Sequence, residues 1–146
     1  MNATELGLSV RKTVCGKGLF SKRRFRKGQS VGEMEGKIIP GDDYDPDYCV
    51  DMGKLGVLDP KAPFRYLNHS CEPNCELVEW EAEGREPPQI WVHVVRTIRP
   101  GDQLTIDYAW HADAAIPCLC GSEKCRGYVV DEKQVHLVKR KNRKRR

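Results

Sequence analysis

The chain is 146 residues long, and its 25 Lys and Arg against 21 Asp and Glu give a formal net charge of +4. This length allows one compact domain. No run of apolar residues exceeds three, which excludes a transmembrane helix of about 20 apolar residues, and we expect no membrane partner. No apolar signal-peptide core of about 7–15 residues follows Met1, so we expect an intracellular protein.

The pattern along the chain predicts a mostly β fold with few helices. Alternating or β-branched stretches predict strands at residues 8–14, 30–39, 76–81, 89–98 and 103–108. Glycine and proline predict a turn at residues 16–18 and a hairpin tip at 82–88. Five aspartates favour a solvated loop at residues 42–51, and only residues 131–140 show a weak helical spacing.

The positive charge is concentrated at the C-terminal end. Residues 139–146 carry seven Lys and Arg and no acid, so the preceding 138 residues hold 18 basic against 21 acidic side chains. A mildly acidic body is therefore followed by a basic tail. Such a tail contacts phosphate backbones, acts as a nuclear import signal or stays solvated, and nucleic acid is its candidate partner.

The seven cysteines point to metal chemistry. In an intracellular chain they are reduced, and their odd number leaves a thiol unpaired in any full disulfide scheme. Cys118, Cys120 and Cys125 form a C-x-C-x4-C pattern in a glycine-containing loop. Three sulfurs this close can converge on one ion, and structural zinc takes four such ligands.

The fourth ligand must come from another part of the chain. Cys71 and Cys75 are the nearby candidates, and spacing alone does not exclude His69 or His111. We predict a structural zinc site formed by Cys71, Cys118, Cys120 and Cys125. Cys15 and Cys49 have no neighbour at ligand spacing and are predicted to be small buried hydrophobic residues.

Four segments together resemble the SET-domain protein-lysine methyltransferases with a cysteine-rich post-SET extension. They are residues 16–20 (GKGLF), 65–75 (RYLNHSCEPNC), 101–108 (GDQLTIDY) and 118–128 (CLCGSEKCRGY). The first segment alone is a common turn, whereas the second is very specific. The resemblance covers roughly residues 8–130 and is strongest to the histone-methylating branch.

The resemblance implies both a fold and a domain organisation. The fold is a set of small curved β-sheets with a threaded, knot-like C-terminal segment, plus a zinc-binding post-SET loop. The implied organisation is an N-terminal lead at residues 1–7, a SET domain at 8–110, a post-SET segment at 111–130 and a basic tail at 131–146. We expect no cysteine-rich pre-SET region of the kind found in many histone-specific relatives, since only seven residues precede the first predicted strand.

The resemblance also implies S-adenosylmethionine as cofactor and assigns residues to it. Glycines allow the backbone to approach a ligand closely because they lack a Cβ. The residues implied to hold the cofactor are Gly16, Lys17, Gly18, Tyr48, Arg65, Asn68 and His69. Without the resemblance, Asn68 would be read as a turn residue, His69 as a buried imidazole and Tyr48 as a core residue.

The implied chemistry is transfer of a methyl group to a lysine amine. Tyr108 matches the family's catalytic tyrosine, whose hydroxyl would orient the amine, and Asp107 is expected to be structural. Met34 and Ile106 stand where aromatic residues commonly line the lysine channel, so the number of methyl groups added stays open.

The expected substrate is a basic protein, a histone or a histone-like protein. Acidic side chains in residues 42–51 and 72–83 would steer it to the channel. The alternatives are a catalytically silent SET-like module that binds basic peptides or nucleic acid, and a zinc protein that binds nucleic acid. A minimal chain of this kind suggests a prokaryotic or viral setting and hence the cytoplasm, whereas the basic tail would suit a nucleus.

Overall fold

The computed structural model describes residues 2–40 and 50–138. The strands within these residues are, in chain order, β1 (Leu8–Thr13), β2 (Gly16–Ser21), β3 (Ser30–Glu33), β4 (Gly36–Ile39), β5 (Val50–Asp51), β6 (Val57–Pro60), β7 (Asn68–His69), β8 (Cys75–Ala82), β9 (Arg85–Val94), β10 (Gln103–Ile106), β11 (Ile116–Pro117) and β12 (Tyr128–Val129). Short 3-10 helices occur at Gly53–Leu55, Phe64–Tyr66, Ala112–Ala114 and Glu132–Gln134, and residues 135–138 are α-helical. The predicted mostly β fold is confirmed.

The strands form four small sheets. Their orders are β1-β2-β10-β7, β3-β9-β8, β4-β6-β5 and β11-β12. Among the described strand pairs, only β10 and β7 run parallel, with Thr105 opposite Asn68 and Ile106 opposite His69. This pairing brings the 68–69 segment to the strand that ends just before Tyr108.

The core lies between the sheets and is built by strand alternation. Along β10 the side chains of Leu104 and Ile106 are buried, whereas Gln103 and Thr105 are only half-buried. Because side chains on a strand alternate between its two faces, β10 contributes an apolar face to the core and a polar face to its neighbours. Leu8, Leu19 and Val92 are fully buried in the same core.

The predicted strands are found, with different ends. The stretch 30–39 is two strands rather than one, because β3 pairs with β9 and β4 pairs with β6. The chain changes sheets at Met34 and Glu35, where the N–H of Met34 donates to the Ile90 carbonyl at 2.7 Å and the Glu35 carbonyl accepts from Lys61 at 2.8 Å. The predicted 8–14 and 76–81 strands correspond to β1 and β8. The turn predicted at residues 16–18 is wrong: the turn is at residues 14 and 15, and residues 16–18 begin β2 because they pair with β1.

The hairpin tip is narrower than predicted. Residues 85–88 belong to β9 although they include Pro87 and Pro88. The register shifts between Trp80 and Ala82 on the partner strand, and prolines are tolerated at such bulges because a ladder hydrogen bond is already missing there. The Glu86–Pro87 peptide bond is cis.

The predicted loop at residues 42–51 lies mostly outside the described residues. Its last two residues, Val50 and Asp51, form β5 instead of a loop because they pair with Leu58 and Val57 of β6. The weak helical prediction at 131–140 is confirmed in part, since residues 132–138 are helical and 139–140 are not described. No helix in the described part of the chain is long and apolar enough to cross a membrane.

Candidate active site and metal centre

Tyr108 follows the end of β10 and is held through both its backbone and its hydroxyl. Its backbone N–H donates to Nδ1 of His69 at 3.0 Å, and its hydroxyl donates to the Leu67 carbonyl. Its ring contacts the imidazole of His69, with the ring centroids 5.5 Å apart, and the indole of Trp110, at 5.3 Å. Tyr108 therefore has a fixed position beside the 67–69 segment.

The hydrogen bond from Tyr108 defines the protonation of His69. Because Nδ1 accepts the backbone N–H, the proton of the neutral ring is on Nε2. Burial lowers the pKa of His69, as does the Arg126 charge, while Asp107 acts in the opposite direction. The net effect favours the neutral imidazole at this position.

Asn68 connects the glycine-containing start of β2 to β10. Its side-chain amide donates to the Lys17 carbonyl at 3.1 Å and to Oε1 of Gln103 at 2.8 Å. The approach of these groups requires Gly18, since an added Cβ would lie 2.5 Å from Gln103 Oε1 and 3.1 Å from Asn68 Nδ2. Gly16 has a φ of 91°, which favours glycine as well.

The ends of β2, β7 and β10 thus bring together four groups: the two glycines at the start of β2, Asn68, His69 and Tyr108. The ammonium group of Lys17 lies 5.4 Å from the centre of the Tyr66 ring, a residue that the motif reading does not single out. This surface can bind a polar cofactor. Gly16 and Gly18 lack a Cβ and let a ligand approach the backbone, and the side-chain amide of Asn68 and the imidazole of His69 lie on the neighbouring strand.

Arg65 is directed to a different partner. Its guanidinium donates to Asp59 Oδ1 at 2.7 Å and to the Pro60 carbonyl at 3.3 Å, both on β6. The predicted place of Arg65 beside the cofactor therefore stays a prediction. Tyr48, the other predicted cofactor contact, lies outside the described residues.

Met34 and Ile106 are both buried, with exposed fractions of 4% and 7%. Met34 lines a cavity of about 300 Å³ between β3, β4 and the start of β9, whose rim includes Glu33, Glu35 and Glu86. Neither Ile106 nor Tyr108 is part of the described lining of this cavity. Met34 and Ile106 belong to the same hydrophobic core, and the lysine channel that they are predicted to line stays a prediction.

Four cysteines, one before Tyr108 in the chain and three after it, form a cluster. The sulfur atoms of Cys71, Cys118, Cys120 and Cys125 all lie within 4.8 Å of one another. The β11–β12 pair brings the two ends of the loop together, with Pro117 opposite Tyr128. These are the four cysteines that the sequence analysis predicts as metal ligands.

The chemistry of the cluster fits a structural zinc ion, which takes four thiolates in a tetrahedral arrangement. Backbone N–H groups of Arg126 and Gly127 donate to the sulfurs of Cys71 and Cys125, each at 3.4 Å, as thiolates require. Burial alone would raise the pKa of Cys120, but backbone hydrogen bonds from Cys71 and Ser122 bring it down to about 7. A thiol with this pKa ionises readily for a metal.

The other candidates for the fourth ligand have different roles. Cys75 is 1% exposed, and burial raises its pKa to about 12, so it is a core residue. Nε2 of His69 lies 3.4 Å from the sulfur of Cys71 and can donate to it. His111 is not part of the cluster found among the described residues.

One cysteine prediction is wrong. Cys15 is exposed rather than buried because it lies in the turn between β1 and β2, outside the core. Cys49 lies outside the described residues.

Several residues of the site have no strong local signal. Gln103 and Arg126 meet Asn68 and Asp107 only through pairing of distant segments, as in the 2.8 Å hydrogen bond from Asn68 to Gln103. Trp110 contacts Tyr108, two residues before it, but no motif marks it. The one available hint for Arg126 is its position directly after Cys125.

Comparison with known proteins agrees with this geometry. The SET domain family model matches residues 16–109. "Histone-lysine N-methyltransferase ASHR3" of Arabidopsis thaliana is 44% identical in an alignment 137 positions long that covers 82% of this chain and 27% of that protein. "Histone-lysine N-methyltransferase, H3 lysine-4 specific" of Schizosaccharomyces pombe is 35% identical in an alignment 133 positions long that covers 77% of this chain and 14% of that protein.

The chain spans only a small part of the length of these relatives. Among solved structures, KRYPTONITE in complex with mCHG DNA and SAH superimposes with a TM-score of 0.74 at 22% identity, over 84% of this chain and 28% of that one. A second KRYPTONITE structure, with mCHH DNA, an H3(1-15) peptide and SAH, gives the same score. The predicted SET fold is therefore confirmed, and the chain belongs to the SET domain family.

Proposed function

We propose that this chain transfers a methyl group from S-adenosylmethionine to the side-chain amine of a lysine in a histone or histone-like protein. The main support is the contact of Tyr108 with His69 and Leu67, inside the segment that matches the SET domain. Relatives named histone-lysine N-methyltransferases cover most of the chain. The proposed domain boundaries are those predicted from the sequence.

The glycine-containing start of β2 and Asn68 are proposed to hold the cofactor. Gly16, Lys17 and Gly18 present backbone atoms, while Asn68 and His69 present an amide and an imidazole on the neighbouring strand. Arg65 and Tyr48 complete the proposed set. When bound, S-adenosylmethionine supplies an electrophilic methyl group on a sulfonium sulfur.

Tyr108 is the proposed catalytic residue. Its hydroxyl donates to the Leu67 carbonyl, which fixes the position of the phenol oxygen that would orient a substrate amine. A lysine amine that reaches this half-buried position loses affinity for its proton, because burial disfavours the ammonium form. Met34 and Ile106 are proposed to line the approach of the lysine.

The zinc ion is proposed to be structural. Four cysteine ligands fill a tetrahedral site, which leaves no position for substrate or water. Its role is to hold the segment after Tyr108 in place, since the cluster joins Cys71 to the 118–125 loop.

A row of exposed acidic side chains on one strand suits a basic substrate. Glu76, Glu79, Glu81 and Glu83 are exposed along β8 and its turn. We propose that they steer a Lys- and Arg-rich polypeptide to the site. A relative named as specific for lysine 4 of H3 is consistent with such a substrate. Acting on histones would place the protein in the nucleus, and acting on a bacterial histone-like protein would place it in the cytoplasm.

Residues 139–146 lie outside the described part of the chain. We propose that their seven positive charges tether the protein to nucleic acid. Deleting them should then abolish a strongly salt-dependent binding to duplex DNA. Binding that survives the deletion would contradict the tether.

The experiment that tests the enzyme proposal is methyl transfer from labelled S-adenosylmethionine to core histones and to a pool of basic proteins. Wild type is compared with Tyr108→Phe and with Trp80→Phe, which changes an exposed aromatic residue on β8. We expect label on lysine, a loss of roughly 100-fold or more in Tyr108→Phe and nearly full activity in Trp80→Phe.

Two results would contradict the proposal. Label that is unaffected by Tyr108→Phe would remove Tyr108 from the active site. Neither transfer nor cofactor binding by zinc-loaded protein would favour the binding module.

A further inference from the structure

Arg126 forms a two-pronged ion pair with Asp107, the residue before Tyr108. Its Nη1 donates to Asp107 Oδ1 at 3.1 Å and its Nη2 to Oδ2 at 2.6 Å, while Nη1 also donates to the Val130 carbonyl at 2.8 Å. The Arg126 side chain is only 13% exposed. A guanidinium held on both carboxylate oxygens fixes the orientation of Asp107 as well as its charge.

Asp107 in turn fixes the backbone around Tyr108. Its Oδ1 accepts the N–H of Ala109 at 2.9 Å. Ala109 has a φ of 49°, the only positive φ of a non-glycine residue among the described residues. A left-handed alanine is unfavourable by itself, so this turn depends on the carboxylate that Arg126 orients. Tyr108 lies between the two residues and takes its direction from them.

Arg126 is equally connected to the cysteine cluster. It directly follows Cys125, and its backbone N–H donates to the sulfur of Cys71 at 3.4 Å. A second route leads from the same sulfur to Nε2 of His69 at 3.4 Å, and from Nδ1 of His69 to the Tyr108 N–H at 3.0 Å. The cluster and Tyr108 are therefore linked through a closed ring of Cys71, His69, Tyr108, Asp107 and Arg126.

We propose that Arg126 is a positioning residue for Tyr108 and couples the metal state of the cysteine cluster to the active site. This inference rests on the proposed function where the methyl-transfer rate is concerned. Arg126 acts through Asp107 and the Ala109 turn, so its loss should lower the rate of transfer through Tyr108. Outer residues that orient a working group typically change activity by about 10- to 100-fold.

The first test is a double-mutant cycle on kcat with Arg126→Gln and Tyr108→Phe. We expect Arg126→Gln to lower kcat by roughly 10- to 100-fold with zinc retained, and to have less than about a threefold effect in the Tyr108→Phe background, because coupled residues are not additive. Arg126→Lys keeps the charge without the two-pronged donor and should fall between. Lys124→Gln removes an exposed charge from the same loop and is the matched control.

The second test does not depend on activity. Trp110 contacts the Tyr108 ring, so its resonance in the fluorotryptophan-labelled protein, assigned with Trp110→Phe, reports the position of Tyr108. We expect Arg126→Gln to shift this resonance while zinc is bound, and zinc removal to shift it in wild type and in Lys124→Gln. Trp80 and Trp91, on β8 and β9, serve as internal references.

Three outcomes would overturn the inference. The first is an unchanged kcat and an unchanged Trp110 resonance in Arg126→Gln. The second is an equal loss of kcat on Arg126→Gln in wild type and in Tyr108→Phe. The third is loss of zinc from both Arg126 variants, which would show that Arg126 stabilises the metal site itself. Absence of any methyl transfer by wild type would instead contradict the proposed function. The Trp110 resonance would still test the coupling in that case.

Discussion

The backbone N–H of Tyr108 donates to Nδ1 of His69 across 3.0 Å, although the two residues are 39 positions apart in the chain. The parallel pairing of β7 with β10 produces this contact, since it places His69 opposite Ile106. One imidazole therefore serves two groups: its Nδ1 holds the Tyr108 backbone, and its Nε2 faces the sulfur of Cys71. His69 is thus a structural centre of the site as well as a proposed cofactor contact.

Replacing His69 by alanine should destabilise the fold. The change leaves the Tyr108 N–H without its acceptor, and an unsatisfied buried donor costs about 1–3 kcal/mol. His111→Ala is the control, because His111 is exposed and its side chain makes no cap hydrogen bond, so its effect should stay within about 0.5 kcal/mol. Urea unfolding followed by circular dichroism measures both free energies. Equal effects of the two changes would contradict the assigned role of His69.

The two glycines at the start of β2 should respond differently to alanine. At Gly18 an added Cβ would lie 2.5 Å from Gln103 Oε1 and 2.8 Å from Thr13 Cγ2, so the end of the Gln103 side chain must shift and its hydrogen bond with Asn68 is disturbed. At Gly16 the space is open, and the cost is the positive φ alone, about 1–2 kcal/mol.

We therefore expect Gly18→Ala to weaken binding of S-adenosylhomocysteine more than Gly16→Ala does, at a comparable loss of stability of about 1–3 kcal/mol. Isothermal titration calorimetry gives the affinities, and urea unfolding gives the stabilities. If both variants bind the product cofactor equally well, the contact of Asn68 with Gln103 has no part in the cofactor site.

Alkylation at pH 8 should separate the six cysteines that the structure describes into three groups. In metal-loaded protein we expect iodoacetamide to modify the exposed Cys15 and to leave Cys75 unmodified, since burial raises the pKa of Cys75 to about 12 and only the thiolate reacts. A zinc chelator should make the four cluster cysteines reactive, Cys120 first because its pKa is about 7. Peptide mass spectrometry identifies the modified residues.

The control for this map is alkylation in denaturant, where every cysteine should react. Modification of Cys71 in the metal-loaded protein at the rate of Cys15 would contradict its role as a ligand. Protection of Cys75 that disappears with the metal would assign it to the metal site instead of the core.

Local patterns predict much of this structure, and long-range pairing decides the rest. The alternation of residues 76–81 predicts β8, and the close spacing of Cys118, Cys120 and Cys125 predicts three ligands of one site. The choice between Cys71 and Cys75 cannot be read from spacing. It depends on β8, whose first residue, Cys75, has its side chain in the core.

The same limit applies to the strands and to the site. The stretch 30–39 has one continuous β pattern, and nothing local shows that its two halves pair with different strands. Gln103 and Arg126 are ordinary polar residues until the register of β10 and the cysteine loop brings them to Asn68 and Asp107. Such contacts join residues whose sequence separation is too large for any periodicity to report.

The buried position of Ile106 leads to a prediction about the product. Ile106 is 7% exposed, lies opposite His69 and precedes Tyr108 by two residues, so its volume limits the space beside the tyrosine. Ile106→Phe adds bulk there, and a smaller space favours an amine that carries fewer methyl groups. We expect the variant to shift the product toward monomethyl-lysine, with a loss of stability of about 1–3 kcal/mol from overpacking. Mass spectrometry of a methylated histone peptide measures the product ratio. The matched control is Ile98→Phe, which adds the same bulk to a fully buried position that pairs with Phe25 and is not in the described lining of the cavity beside Met34, and it should cost similar stability without changing the ratio. A ratio that is unchanged in Ile106→Phe, or that changes equally in both variants, would exclude Ile106 as the residue that sets the methyl count.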